Sequence, residues 1–342
     1  MKKIRPTEAS RGGVQHWLRQ VLAPHKPLLN AALMLGYLSA LLLVWQSWLL
    51  ALLFSDWLVA WQQLGAAALN VSLLRDLLPW LLLCLLLRPL LQYGRERLCQ
   101  QASLRARSGL REQLLAQLAA LGPGRQALGA DAVLGSRLLE QVDALDGYIS
   151  RYHVQRYLVV LVPLTLLLCI FYYSPLAGIL MLVTAPLVPL FMVLLGKAAA
   201  AASQKQFVAL ARMSGRFMDL LRGLKTLQHL QAVPQAEAEV AQAAEHYRAG
   251  TMGVLRMAFL SGAVLEFFSA LAIALVALYL GLGLLGILPW AKGSIPVPYQ
   301  GALFILLLAP EFYNPLRQLG SDYHAKAEAE AALTELMPLL EL

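Results

Sequence analysis

The chain has 342 residues, of which 59% are hydrophobic and only 14% charged, with six histidines and three cysteines. A soluble domain of this size carries about 25% charged residues, so the composition excludes an ordinary soluble globular protein. The net charge of +8 does not point to nucleic acid in such a chain, because cytoplasmic loops of membrane proteins collect Lys and Arg. The residues before Leu28 form a polar, basic segment rather than a cleaved signal peptide, since the apolar run that follows is too long and several more come after it. Apolar stretches that predict membrane spans lie at Leu28–Phe54, Leu73–Leu91, Leu158–Tyr173, Leu176–Gly196, Phe259–Leu284 and Gly301–Leu316. Tyr173-Ser-Pro175 makes a tight turn between the third and fourth, and a Pro/Gly-rich loop joins the fifth and sixth.

The connections 95–156 and 197–257 differ in kind from these turns. Both are long and charged, and placing them with the two termini on one side leaves out only Arg75, Arg88 and Lys292 among the 28 Lys and Arg. The positive-inside rule makes that side cytoplasmic. Leu110, Leu114, Leu118 and Leu121 recur at helical spacing in the first connection, as do Phe207, Leu210, Met213, Phe217, Leu220, Leu224 and Leu227 in the second. Each is broken near its middle, at Gly122-Pro-Gly124 and at Ala232-Val-Pro234. The pattern predicts two helical hairpins reaching roughly 35–40 Å beyond the membrane, at 1.5 Å per residue. The expected fold is an all-α polytopic membrane protein with six transmembrane helices and two long cytoplasmic hairpins.

Six spans with two such hairpins resemble the transmembrane domain of ABC exporters. Gly135-Ser-Arg-Leu-Leu-Glu-Gln-Val-Asp-Ala-Leu-Asp146 is similar to the segment leading to the first coupling helix in that family, and Leu220–Leu227 to the segment before the second. Within the family the chain looks most like the CydD branch of the heterodimeric CydDC exporters. That likeness lies in TAPLVPLFMVLLG (184–196), FVALARMSGRFMDLLRGLKTL (207–227), 252–281 and LAPEFYNPLRQLGSDYHAKA (308–327). The resemblance implies a role in cytochrome bd assembly, a CydC-like half-transporter as partner, the bacterial inner membrane as location with cytoplasmic termini, and haem or reduced thiols (cysteine, glutathione) as substrate. It also implies that Leu138, Glu140, Asp143, Gln231 and Pro234 couple the membrane domain to nucleotide-binding domains.

A complete subunit of that family continues into an ATP-binding domain. No G-x-x-x-x-G-K-[ST] occurs in the 342 residues, so no P-loop is here to cradle ATP phosphates. The expectation is a non-enzymatic chain: a cytoplasmic segment 1–27, a transmembrane domain 28–330, and 331–342 as the start of a linker to a nucleotide-binding domain that would carry ATP and Mg. The alternative function is a non-transporting membrane scaffold or haem-binding assembly factor.

The last apolar stretch ends in residues that a plain anchor does not need. At 100° per residue, Tyr313, Arg317, Gly320 and His324 fall within about 60° of one another, with Tyr323 beside them. Imidazole or phenolate can ligate haem iron, arginine can pair with a propionate, and glycine allows close approach. Tyr323-His324 match the Tyr-His pair implicated in haem binding in the CydDC family. The alternative reading is that Tyr323, His324 and Lys326 mark where the helix leaves the bilayer. Glu266, Arg88 and Glu311 are expensive in hydrocarbon and are expected to face a path or an ionic partner. Arg105, Arg107, Arg111, His153 and His229 read as solvated positions on the hairpins, and Cys84, Cys99 and Cys169 have no metal-binding spacing.

Overall fold

A computed structural model describes residues 16–64, 71–122, 135, 137–191, 194, 217–288, 293 and 295–340. The described residues are predominantly helical, with no strand among them. Its main helices are α1 (Lys26–Leu64), α2 (Val71–Ala120), α3 (His153–Tyr173), α4 (Pro175–Thr184), α5 (Leu224–His229), α6 (Val233–Leu284) and α7 (Tyr299–Leu340), with further helical residues at 16–22 (the N-terminal helical segment), 187–191 and 217–222. A 3-10 turn, Ala23–His25, precedes α1, and π-helical turns Arg137–Gln141 and Tyr148–Tyr152 lead into α3. Among the described residues, three stretches are long and apolar enough to cross a membrane: His16–Gln62, Tyr148–Tyr173 and Gly262–Leu284. Pro175–Phe191 is apolar but shorter. The remaining two expected spans lie within α2 and α7, where Pro79, Arg88 and Pro89, and Pro310, Glu311 and Pro315, interrupt the hydrocarbon character. Trp80, Leu82, Leu83, Leu85, Leu86 and Leu90 of α2 are nevertheless all exposed, an apolar face of the kind that meets lipid or another membrane helix.

The chain forms two compact units, 1–182 with 273–342, and 183–272. In the first, α1 runs along α2, and α7 packs on α3, on α1 and on the π turn at 148–152. Phe304, Ile305, Leu308, Phe312 and Tyr313 of α7 are almost completely buried in its core, joined by Leu166 and Ile170 of α3. Gly301 permits the α3–α7 approach: a Cβ there would lie 2.6 Å from Tyr173 Cδ1. Ser174 separates α3 from α4 in an extended conformation. Its Oγ accepts a hydrogen bond from the Ala177 N–H (3.3 Å), a serine N-cap followed by proline at the first helical position.

In the first connection the buried face of the described residues follows the predicted periodicity; 123–134, with most of the expected break, lie outside them. The outgoing arm is the continuation of α2, and Cys99, Ala102, Ala106, Leu110, Leu114 and Leu118 are buried on one face, as are Val142, Leu145 and Ile149 of the return. Leu121, at the end of the stripe, is exposed. Arg107 and Arg111 are not the solvated positions that their surroundings in the sequence suggest. Arg107 pairs with Asp143 and, at 3.0 Å, with Asp146; Arg111 reaches Asp143 at 2.6 Å. Ser103 Oγ donates to Asp146 Oδ1 (2.6 Å) and Arg111 Nε to the Leu138 carbonyl (3.3 Å). Helical spacing brings these arginines to the face that the returning carboxylates meet.

In the second unit, Phe207, Leu210 and Met213 of the expected stripe lie outside the described residues. Phe217, Leu220, Leu224 and Leu227 continue it along an apolar groove with Val233, Ala236 and Val240. The turn between α5 and α6 closes as a Schellman motif: Ala232 N–H donates to Leu227 O (2.9 Å) and Gln231 N–H to Gln228 O (3.1 Å). Gln231 accordingly holds a left-handed backbone, φ 53°.

Candidate functional site

Three elements of the first unit converge where the apolar part of α7 gives way to its polar continuation. α2 contributes Arg95, Glu96 and Cys99, the segment entering α3 contributes Asp146, Arg151 and Gln155, and α7 contributes Gln318 and Asp322. Together they enclose a polar cavity of about 320 Å³, at the lower end of the roughly 300–1,000 Å³ typical of small-molecule sites. The π turn is what aims Arg151 into it, and Gly147 lets that turn sit on α7. A Cβ at Gly147 would lie 2.8 Å from Ala325 Cβ and 3.0 Å from Arg151 Nη2. Gln155 Nε2 donates to the Pro315 carbonyl at 3.2 Å, tying α3 to α7 beside the proline.

Asp322 is 7% exposed. Burial pushes its carboxyl above the usual aspartate range, and the nearby Arg151 and Arg95 guanidinium groups pull against that rise. Burial likewise pushes the Cys99 thiol to about 11, with Arg95 opposing and Glu96 reinforcing the shift. A thiol so far from ionising is a poor nucleophile at neutral pH. The arrangement is therefore non-covalent: two guanidinium groups that can take carboxylates, three carboxyl groups (Glu96, Asp322 and Asp146, the last already held by Arg107 and Ser103) that can take an ammonium group, and an inert thiol in the wall.

The residues singled out from the sequence distribute differently. Tyr313 is completely buried, edge-on to Phe312 with ring centroids 5.0 Å apart, so its phenol belongs to the helix core. Gly320 is buried and Arg317 half-buried. Tyr323 is 44% exposed, with Lys326 Nζ 5.7 Å from its ring centroid. His324 falls on α7, but its side chain lies outside the described residues. Gln318 and Asp322 occupy roughly the opposite face, about 140° and 180° from Tyr313 at 100° per residue. Arg88 of α2 meets Glu311 of α7 at 3.3 Å, and Glu266 is an exposed residue of α6 in the second unit. Leu138 and Glu140 sit on the first π turn, Asp143 follows it, Gln231 forms the second hairpin turn, and Pro234 lies in the first turn of α6.

The polar cavity itself is absent from the sequence reading. Its residues come from three separated segments, and no spacing links Arg95 to Arg151 or Asp322. One signal was available: Asp322 stands next to the Tyr323-His324 pair, as a further ionisable group on a helix just leaving hydrocarbon.

Comparison with known proteins matches residues 29–286 to the ABC transporter transmembrane region. Over its whole length the chain is 39% identical to the transport ATP-binding protein AarD of Providencia stuartii. It is 40% identical to the glutathione/L-cysteine transport system ATP-binding/permease protein CydD of Escherichia coli, in each case covering 56% of the relative. It is 29% identical over 79% of its length to the corresponding CydC protein of Bacillus subtilis, covering 46% of that relative. The chain thus spans about half the length of the curated relatives it matches.

Proposed function

Since this chain belongs to the ABC transporter transmembrane family, we propose that it is the membrane part of one subunit of an ATP-driven heterodimeric exporter carrying small reduced thiols, glutathione and cysteine. Its partner is a CydC-like half-transporter, and its nucleotide-binding domain follows in the longer protein. The complex sits in the bacterial inner membrane with the hairpins and termini in the cytoplasm, serving cytochrome bd assembly. The names of the CydD and CydC relatives support this cargo class.

The observation that carries the reading is the flanking of Asp322 by Arg95 and Arg151 in the polar cavity. Cysteine and glutathione are zwitterions bearing an ammonium group and one or two carboxylates, and the cavity offers a complementary charge set. Its inert Cys99 would not exchange with a passing thiol, so the cargo would stay reduced. The first hairpin, latched by Arg107 and Arg111 onto Asp143 and Asp146, transmits movement of the docked ATPase domain to the segment carrying Arg151.

Binding of reduced glutathione to the complete heterodimer, measured by calorimetry, tests the site. Arg151→Gln and Asp322→Asn are expected to weaken it by about tenfold or more each, the loss of a charge-assisted hydrogen bond. Unchanged affinity in both variants, with monodisperse protein, would move the cargo site elsewhere.

Haem is a second reading, favoured by the accessible Tyr323 phenol with the Lys326 ammonium group beside it. The fit is incomplete: Tyr313 is too buried to reach a ligand, which leaves Tyr323 and His324 as iron ligands and Lys326 as a propionate partner. Haem bound there would supply an iron centre and a flat dianionic body, and the residues would only hold it. A saturable Soret band that collapses in Tyr323→Phe with His324→Ala supports this reading; an unchanged band returns the pair to interface anchoring.

A further inference from the structure

A second, larger cavity of about 530 Å³ lies in the first unit, distinct in its lining from the polar one. Its walls come from the N-terminal helical segment (Arg19), the start of α1 (Lys26), the α3 entry (Tyr152, Arg156) and the far part of α7 (Lys326, Glu330). Four cationic side chains therefore face one carboxylate. Glu330 lies 3.8 Å from Lys326, and among the described residues no carboxylate forms a salt bridge with Arg19, Lys26 or Arg156. Arg156 is instead set against aromatic surface: its guanidinium lies 4.6 Å from the Tyr157 ring centroid and donates to the phenol oxygen (2.7 Å). Its Nε is buried and unpartnered, as is Nδ1 of His153 in the same wall. The sequence alone treats His153 as a solvated position; the structure places it half-buried against Tyr148 and Tyr157.

Such a cluster of unbalanced cations needs an anion, and its position says which. Lys26 begins the first apolar helix, Arg156 precedes the apolar run of α3, and Lys326 follows that of α7. Lys26 and Arg156 lie at the ends of hydrocarbon stretches on the positively charged side, the depth of lipid phosphates, and Lys326, ten residues past Leu316, lines the same cavity. We propose that this cavity binds the phosphate group of an anionic phospholipid, with Arg19, Lys26, Arg156 and Lys326 as its ligands and Tyr152 and Tyr157 flanking the glycerol region. A free phosphate ester presents the same chemistry, but it would gain nothing from a site placed at the ends of two apolar stretches. Lipid bound there bridges the N-terminal segment, the α3 entry and α7, and so braces the segment that also carries Arg151. The proposal stands apart from the thiol site, whose cavity shares none of these residues.

Native mass spectrometry of the complete transporter, released from detergent after incubation with phosphatidylglycerol or phosphatidylcholine, tests it. The wild type is expected to retain one phosphatidylglycerol in preference to phosphatidylcholine. Arg156→Gln with Lys326→Gln should lower that retention by at least about tenfold, as two surface cations each contribute to anionic-lipid attraction. Arg156→Lys with native Lys326 should keep most of it, which separates loss of charge from loss of fold. Equal retention in the double variant overturns the proposal. So does displacement of the lipid by millimolar glycerol phosphate, which would assign the site to a soluble phosphate ester.

Discussion

Arg88 Nη2 of α2 lies 3.3 Å from Glu311 Oε1 of α7, with the two side chains 28% and 31% exposed. The pair joins two helices that are both interrupted by proline, Arg88 preceding Pro89 and Glu311 following Pro310. Each charge alone is costly in a membrane helix, and together they neutralise one another. Arg88 Nε remains buried and without a partner. The ion pair thus pins α7 to α2 within the apolar part of α7.

Removing one partner should be worse than removing both. Arg88→Met or Glu311→Gln alone is expected to destabilise the transporter by about 1–3 kcal/mol, less than the roughly 3–5 kcal/mol of a fully buried pair because both groups are partly exposed. The double variant should regain most of that loss. Thermal unfolding in detergent reads the cycle, and strictly additive losses would show that the two charges do not interact.

Asp322 predicts a pH dependence of defined sign. Its native pKa is raised by burial above the ordinary aspartate value of 3.8. Its protonated form therefore favours the fold: the contribution is full below about pH 4 and is lost as pH rises through the raised value. Asp322→Asn should remove that slope and stabilise the protein at neutral pH while impairing thiol binding. Unfolding followed from about pH 4 to pH 8 checks this, and a variant with the wild-type slope would contradict it.

Asp143 carries the opposite sign. Some desolvation raises its pKa, but hydrogen bonds from Arg107 and Arg111 and their charges outweigh it and hold the carboxyl below 3.8. Its stabilisation is present above that value and is lost as pH falls through the lower native one. Since Asp143 is half exposed, the effect is local. Asp143→Asn should raise hydrogen exchange in the first hairpin at neutral pH and weaken stimulation of ATPase activity by cargo, with little change in overall melting.

Gln231 occupies a backbone conformation that favours glycine. Gln231→Gly should stabilise the second hairpin by about 1 kcal/mol by relieving left-handed strain. Slower hydrogen exchange around 224–236 would register the gain. Faster exchange there would show that the Gln231 side chain contributes more than its backbone costs.

The sequence carries the architecture well and the site poorly, for one physical reason. Periodicity and hydropathy are local, so the stripe Leu110, Leu114 and Leu118 and the break at Ala232-Val-Pro234 were legible, and both hairpin features stand in the structure. Pairing is not local. Arg107 and Arg111 read as solvated until Asp143 and Asp146 return beside them, and Arg88 has no visible partner until α7 brings Glu311. The helical wheel grouped Tyr313 with Arg317 correctly by angle, but it carries no information on which other helix covers that face. In the fold, Tyr313 meets the core while Gln318 and Asp322, on the far face, meet Arg95 and Arg151.

The most direct test of the central claim is ATP-dependent uptake of labelled reduced glutathione and cysteine by inside-out membrane vesicles containing the complete heterodimer. Wild type should accumulate both thiols, and Arg151→Gln and Asp322→Asn should each lose most of that uptake while the complex stays assembled. Wild-type rates in both variants would contradict the assignment of the cargo path to the cavity between α2, α3 and α7.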